Sequence, residues 1–210
     1  MIGIIDYGMG NLFSVSQALE RLQVDYFISE KESELKKADA LILPGVGAFK
    51  DAMARLNETG LANMIRDYVG TGKPLLGICL GMQLLFEESE ENGITAGLSL
   101  LPGRVVRFSG ESEKGESYKV PHMGWNRLEW VNASPITANL EEDYVYFVHS
   151  YYIVTNNPED IIAKASYYED VPAVVGKQNV FGMQFHPEKS SQLGVELLRN
   201  FTRLASGKGE

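Results

Sequence analysis

The chain has 210 residues, 44% of them hydrophobic and 22% charged, an ordinary globular composition with enough length for one domain and one core spanning residues 1–210. Its 28 acidic against 19 basic residues leave a formal charge of −9, which excludes a protein built to grip phosphate backbones, since that needs clustered Lys and Arg. No apolar run approaches the roughly 20 residues of a bilayer span, the start lacks the basic region of a secretory signal, and a single Cys forms no internal disulfide. A reducing cytoplasmic setting without nucleic-acid or membrane partners is expected.

Residues 2–5 read as a buried parallel strand, and Asn11 as the N-cap of an amphipathic helix carrying Leu12, Val15, Ala18, Leu19 and Leu22. The loop between them, Asp6 to Gly10, lies where α/β sheets hold ligands, at the C-terminal end of a strand. It has no phosphate-loop pattern and reads equally as a structural turn. Strands are predicted at 24–29 and 38–43 with a short polar helix over 30–37, an alternation that implies a parallel sheet covered by helices on both faces. Pro44-Gly45-Val46-Gly47 follows at a strand end. Glycines there either make a turn or leave backbone N–H groups for a developing oxyanion.

Helical signals run through 48–69, interrupted near Thr59-Gly60, before Thr71-Gly72-Lys73-Pro74 leads into the next strand. Apolar 75–78 then meets Gly77-Ile78-Cys79-Leu80-Gly81, with an apolar helix opening over 82–86. This is the thiol form of the G-x-S-x-G elbow, a strand-to-helix corner too tight for flanking side chains. At such a corner the sulfur stands above the sheet edge and the helix N-terminus favours negative charge. A lone Cys in an apolar segment is also a common buried hydrophobe, so a base is required elsewhere. Gln83 lies one helical turn from Cys79, and 87–91 reads as a solvated acidic helix end.

Beyond Leu101 the predicted strands are short and consecutive, at 104–108, 118–120, 126–129, 144–154, 161–168 and 171–176, with a polar hairpin tip over 109–117. Pro121 to Asn126 reads as a loop, its Trp125 either buried or an interface anchor and His122 structural. Alternation along 144–152 puts His149 on a face with Val145, Phe147 and Tyr151. A strand at 180–185 delivers His186-Pro187-Glu188, an amphipathic helix closes the fold over 192–204, and 207–210 is expected to fray. Together these elements predict a flavodoxin-like three-layer α/β/α fold, with a mostly parallel central sheet and antiparallel strands added in the C-terminal half.

Pro187 biases His186 toward an extended backbone, in which residues two apart share a side, so Glu188 falls beside the imidazole. Cys79, His186 and Glu188 then supply nucleophile, base and orienting acid. His149 competes as base, but it lacks a neighbouring carboxylate and sits in an aromatic run.

Gly-Ile-Cys-Leu-Gly-Met-Gln together with His-Pro-Glu resembles the class I (triad) glutamine amidotransferases over essentially the whole chain. Within them, the opening Asp6 to Leu12, Pro44 to Gly47 and Pro121 to Asn126 resemble the glutaminase subunits of imidazole glycerol phosphate synthases. The resemblance implies L-glutamine as substrate, no metal and no organic cofactor, and backbone amides of Val46 and Leu80 as the oxyanion hole. It further implies that Gly47, Gln83, Glu91, Ser150 and Tyr151 hold the substrate. Asn11, Trp125 and Asn126 would face a cyclase subunit, a (β/α)8 barrel that receives ammonia. Two other readings stay open here: a glutaminase serving pyridoxal phosphate or anthranilate synthesis, and a non-catalytic interaction or stress protein on the same scaffold.

Overall fold

Three strands of four buried residues each, β1 (Ile2–Ile5), β3 (Ala40–Leu43) and β4 (Leu75–Ile78), form the centre of the structure. Continuous apolar runs of this length suit strands covered on both faces. In the computed structural model, which describes residues 1–205 and Gly207, they alternate with α1 (Leu12–Arg21), β2 (Tyr26–Ser29), α2 (Glu32–Leu35), α3 (Phe49–Glu58), α4 (Leu61–Gly70) and α5 (Leu80–Leu84). Strands dominate thereafter: β5 (Glu88–Ser89), β6 (Thr95–Ala96), β7 (Arg104–Arg107), β8 (His122–Trp130), β9 (Tyr144–His149), β10 (Tyr151–Val154), β11 (Ile161–Ser166), β12 (Asp170–Lys177) and β13 (Val180–Met183), before α6 (Ser191–Ala205).

Nine strands make one sheet in the order β2-β1-β3-β4-β13-β12-β11-β8-β9. The half from β2 to β13 is paired in parallel, and β13 through β9 in antiparallel. Successive side chains leave opposite faces of a strand. Leu41 and Leu43 therefore join a core with α3 and α4, while Ala40 and Ile42 join one with α1 and α6. The three expected layers follow. A second sheet, β10-β7-β5-β6, draws on residues 88–154, and no helix among the described residues is long and apolar enough to cross a membrane.

The structure corrects the sequence reading at several places. Residues 118–120 form no strand; the Tyr118 ring stacks on Tyr168 at 4.6 Å and its hydroxyl donates to Glu169 at 2.8 Å. Residues 121–126 are a loop only at Pro121, because β8 starts at His122 and pairs with β9 from there onward. The single run expected at 144–154 breaks at Ser150: β9 belongs to the large sheet and β10 pairs with β7 in the small one. The acidic stretch 87–91 is not a helix end but contains β5, and its carboxylates cap backbone donors. Glu87 accepts from Gly103 N at 2.9 Å, Glu90 from Arg107 N at 2.8 Å and Glu91 from Phe49 N at 2.8 Å. The fraying expected at 207–210 falls, Gly207 apart, outside the described residues.

Phe201 of α6 is fully buried and meets Phe181 edge-on at 6.4 Å. Phe201→Ala should cost about 3–5 kcal/mol, read as a lower urea midpoint with the slope unchanged.

Candidate active site

Cys79 occupies the corner between β4 and α5 with φ 56° and ψ −112°. A non-glycine residue held there stores strain of about 1–3 kcal/mol, a common price at reactive turns. The glycines around it are required by close approach: a Cβ on Gly81 would lie 1.9 Å from the Leu43 carbonyl oxygen, and one on Gly77 2.4 Å from the Gly81 oxygen. The end of β3 thus presses directly on the corner. Cys79 N donates to Met183 O at 2.8 Å, continuing the parallel register in which Gly77 faces Gly182 and Ile78 faces Met183. Chain leaving β13 therefore emerges beside the sulfur.

That chain carries His186, 4% exposed, with φ −95° and ψ 96°. Its extended backbone agrees with the restriction imposed by Pro187. Glu188 reaches it by another route than strand alternation: it sits in a 3-10 turn, Pro187–Lys189, and Oε1 lies 2.8 Å from Nδ1. Nδ1 donates to the carboxylate, which leaves Nε2 for the cavity that Cys79 also lines. Burial pulls the imidazole pKa down, but hydrogen bonds and charge interactions with Cys79 and Glu188 outweigh it and hold the value up at about 10.

His149 behaves in the opposite way. Its Nδ1 donates to Tyr151 O at 2.8 Å, so Nε2 is an acceptor and lies 2.9 Å from His122 Nδ1. Both ring nitrogens are engaged. Burial first, and the neighbouring imidazoles of His122 and His186, bring its pKa to about 3 against the raising effect of the Tyr151 carbonyl. A ring so placed is neutral and has no free nitrogen for the thiol proton.

Cys79 and His186 line one cavity of about 370 Å³, within the range of small-molecule sites. Val46, Gly47, Leu80, Gln83, Glu91, Ser150 and Tyr151 line it too, as do Pro121, Val148 and His149. Every residue singled out for oxyanion or substrate contact is therefore brought together, with Glu188 behind His186. The arrangement can activate a thiol, collect negative charge at the amide of Leu80, which opens a helix, and position a small polar molecule.

Residues 3–204 match the sequence model of the class-I glutamine amidotransferases. The chain belongs to that family. Two relatives, each named imidazole glycerol phosphate synthase subunit HisH, extend the match to full length. The one from Geobacillus sp. (strain WCH70) is 62% identical over 100% of this chain and 99% of its own. The one from Bacillus subtilis (strain 168) is 62% identical over 98% and 97%. Among solved structures, a glutamine amidotransferase superposes with a TM-score of 0.76 at 23% identity over 98% of both chains. PurLQS from Thermotoga maritima superposes with a TM-score of 0.73 at 20% identity over 97% of both. At these identities the superpositions speak for the fold.

In this amidotransferase the three residues expected at a partner surface differ in setting. Trp125 is 49% exposed, beside exposed Met123. Asn11 is half-buried and caps α1 through Oδ1 to Ser14 N at 3.2 Å. Asn126 is half-buried, its Oδ1 2.8 Å from His122 Nε2 and its Nδ2 donating to Ser166 O at 2.9 Å. Sequence reasoning missed Pro121 and Val148 as lining residues and gave Gln184 no role. Gln184 stands two positions before His186, which in extended chain is the same side.

Gly81→Ala should cost at least about 1–3 kcal/mol through overpacking and slow alkylation of Cys79, checked by urea melts and iodoacetamide kinetics on the same samples. The native pKa of His186, raised from 6.5 to about 10, means that its stabilising contribution is complete below the unfolded value of 6.5 and is lost as pH rises through about 10. Wild type should accordingly lose stability across that window, and Cys79→Ala should flatten the slope; urea midpoints at several pH values, with NMR titration of the His186 ring, measure both.

Proposed function

We propose that this chain is the glutaminase subunit of an imidazole glycerol phosphate synthase, hydrolysing L-glutamine to glutamate and ammonia. The observation that carries the reading is the shared cavity in which a strained Cys79 meets an imidazole already bonded to Glu188. Full-length identity of 62% to relatives bearing that name supports the choice of synthase.

Cys79 Sγ attacks the side-chain carboxamide carbon, and His186 takes the thiol proton. The same proton passes to the nitrogen as the carbon–nitrogen bond breaks, releasing ammonia and leaving a γ-glutamyl thioester. Water then gives a proton to His186 as it adds to the thioester, and glutamate departs when the carbon–sulfur bond breaks and the sulfur regains its proton. Glu188 keeps the proton of Nδ1 in place, so that Nε2 is the nitrogen that exchanges. Backbone N–H groups of Leu80 and Val46 receive the tetrahedral oxyanion, each contributing about 3 kcal/mol. Gly47, Gln83, Ser150 and Tyr151 orient the glutamine, and the Glu91 carboxylate meets its ammonium group. These steps call on no metal or organic cofactor.

Ammonia released into neutral water becomes ammonium and loses its nucleophilic lone pair. It must therefore be handed on directly. The reading assigns the receiving end to a (β/α)8-barrel cyclase subunit that would meet Asn11, Trp125 and Asn126, in the cytoplasm. There ammonia would react with a phosphoribulosyl-formimino ribonucleotide to give imidazole glycerol phosphate and an aminoimidazole carboxamide ribonucleotide.

Assayed with its cyclase, the chain should release glutamate, Cys79→Ala should release none, and Glu188→Gln should lower kcat by on the order of a hundredfold or more. In a histidine auxotroph lacking this subunit, wild type should restore growth without histidine. Failure to do so with the cognate cyclase present would sink the assignment.

A further inference from the structure

Beside the sulfur lies a fully buried side chain that the roles above leave unused, Gln184. Its backbone is pinned, with N donating to Ala173 O at 2.9 Å. Its amide is also pinned. Gln83 Nε2 donates one hydrogen to Tyr151 O at 3.0 Å and the other to Gln184 Oε1 at 3.1 Å. An amide whose oxygen is held in this way must present its NH2 on the opposite side, and there Gln184 Nε2 stands 4.0 Å from Cys79 Sγ.

We propose that Gln184 is a further catalytic residue, an N–H donor to the nucleophilic sulfur whose orientation is set by Gln83. The donor favours the anionic sulfur twice in the cycle, before attack on the amide and again when the thioester carbon–sulfur bond breaks. The contact is long, but sulfur is large and polarisable, and in a water-poor site a fixed amide dipole acts with little screening. Gln83 touches the pocket wall at Tyr151 and Gln184 at once, so the side chain that borders the substrate also determines what faces the nucleophile. The part of this played in turnover rests on the glutaminase reading; the effect on sulfur reactivity does not.

The test is the pH dependence of Cys79 alkylation by iodoacetamide in the full chain, because the anionic sulfur is the reacting form. Gln184→Met preserves length and removes the amide. It should move the alkylation midpoint up by about one pH unit, so that below the wild-type midpoint the reaction slows by up to roughly tenfold. Gln184→Glu preserves shape and an acceptor for Gln83 but turns an oxygen toward the sulfur, and its midpoint should also rise. Should the Met variant fail to fold, Gln184→Leu, which removes the N–H without adding charge, decides in its place. A side chain with a purely structural role would lower the melting temperature and leave the midpoint in place, so a wild-type midpoint in a folded variant overturns the proposal. In turnover with the cyclase, kcat should fall with KM within about twofold of wild type. Absence of glutamate release by wild type would defeat the glutaminase reading while leaving the alkylation result standing.

Discussion

The parallel pairing of β4 with β13 is the constraint on which the site depends. These strands pair residues 105 positions apart in the chain, and their register sets Ile78 against Met183 and ends both at the same sheet edge. Parallel neighbours run in one direction, so the residues that follow them leave the sheet side by side. Cys79 and His186 meet for that reason. The β3 end completes the arrangement, since the Leu43 carbonyl abuts Gly81 so tightly that the corner admits no side chain there. Strain at Cys79 is sustained by three central strands and the helices packed on them.

Burial acts on two histidines here with opposite results. Both His149 and His186 are nearly inaccessible, and desolvation opposes the charged form of each. What separates them is the partner: His149 donates to a backbone carbonyl and abuts another imidazole, whereas His186 has a carboxylate on one nitrogen and interacts electrostatically with Cys79. A neutral dipole does not compensate a buried cation, and an anion does. The protein thus keeps one ring uncharged and raises the proton affinity of another that lines the same cavity.

Much of this was legible from residue order. Glycines flanking Cys79, the His186-Pro187-Glu188 triplet and the early βα alternation are local signals, and each corresponds to an observed corner, turn or strand. The helix break at Gly60 was visible because that residue adopts φ 76°. Less legible was whatever depends on which strand a segment pairs with. Nothing in 144–154 announces that the run divides at Ser150, because both halves are apolar and aromatic and only β7 and β8 decide their destinations. The acidic run 87–91 was misread for a similar reason: its carboxylates are fixed by backbone donors from 49, 103 and 107. Gln184 went unassigned because its significance lies in where its amide oxygen is held, which is a property of Gln83.

The division at Ser150 has a mechanical consequence. Cys79, His186 and Glu188 all hang from the large sheet, whereas Glu91 and Tyr151 belong to segments of the small one. The cavity is a seam between the two sheets, with Cys79 and His186 on one lip and Glu91 and Tyr151 on the other. The distance between the two lips is therefore set by packing, since Val105 and Ile153 of the small sheet share a core with Leu43 and Leu75 of the large one, and by the hydrogen bond from Gln83 Nε2 to Tyr151 O at 3.0 Å.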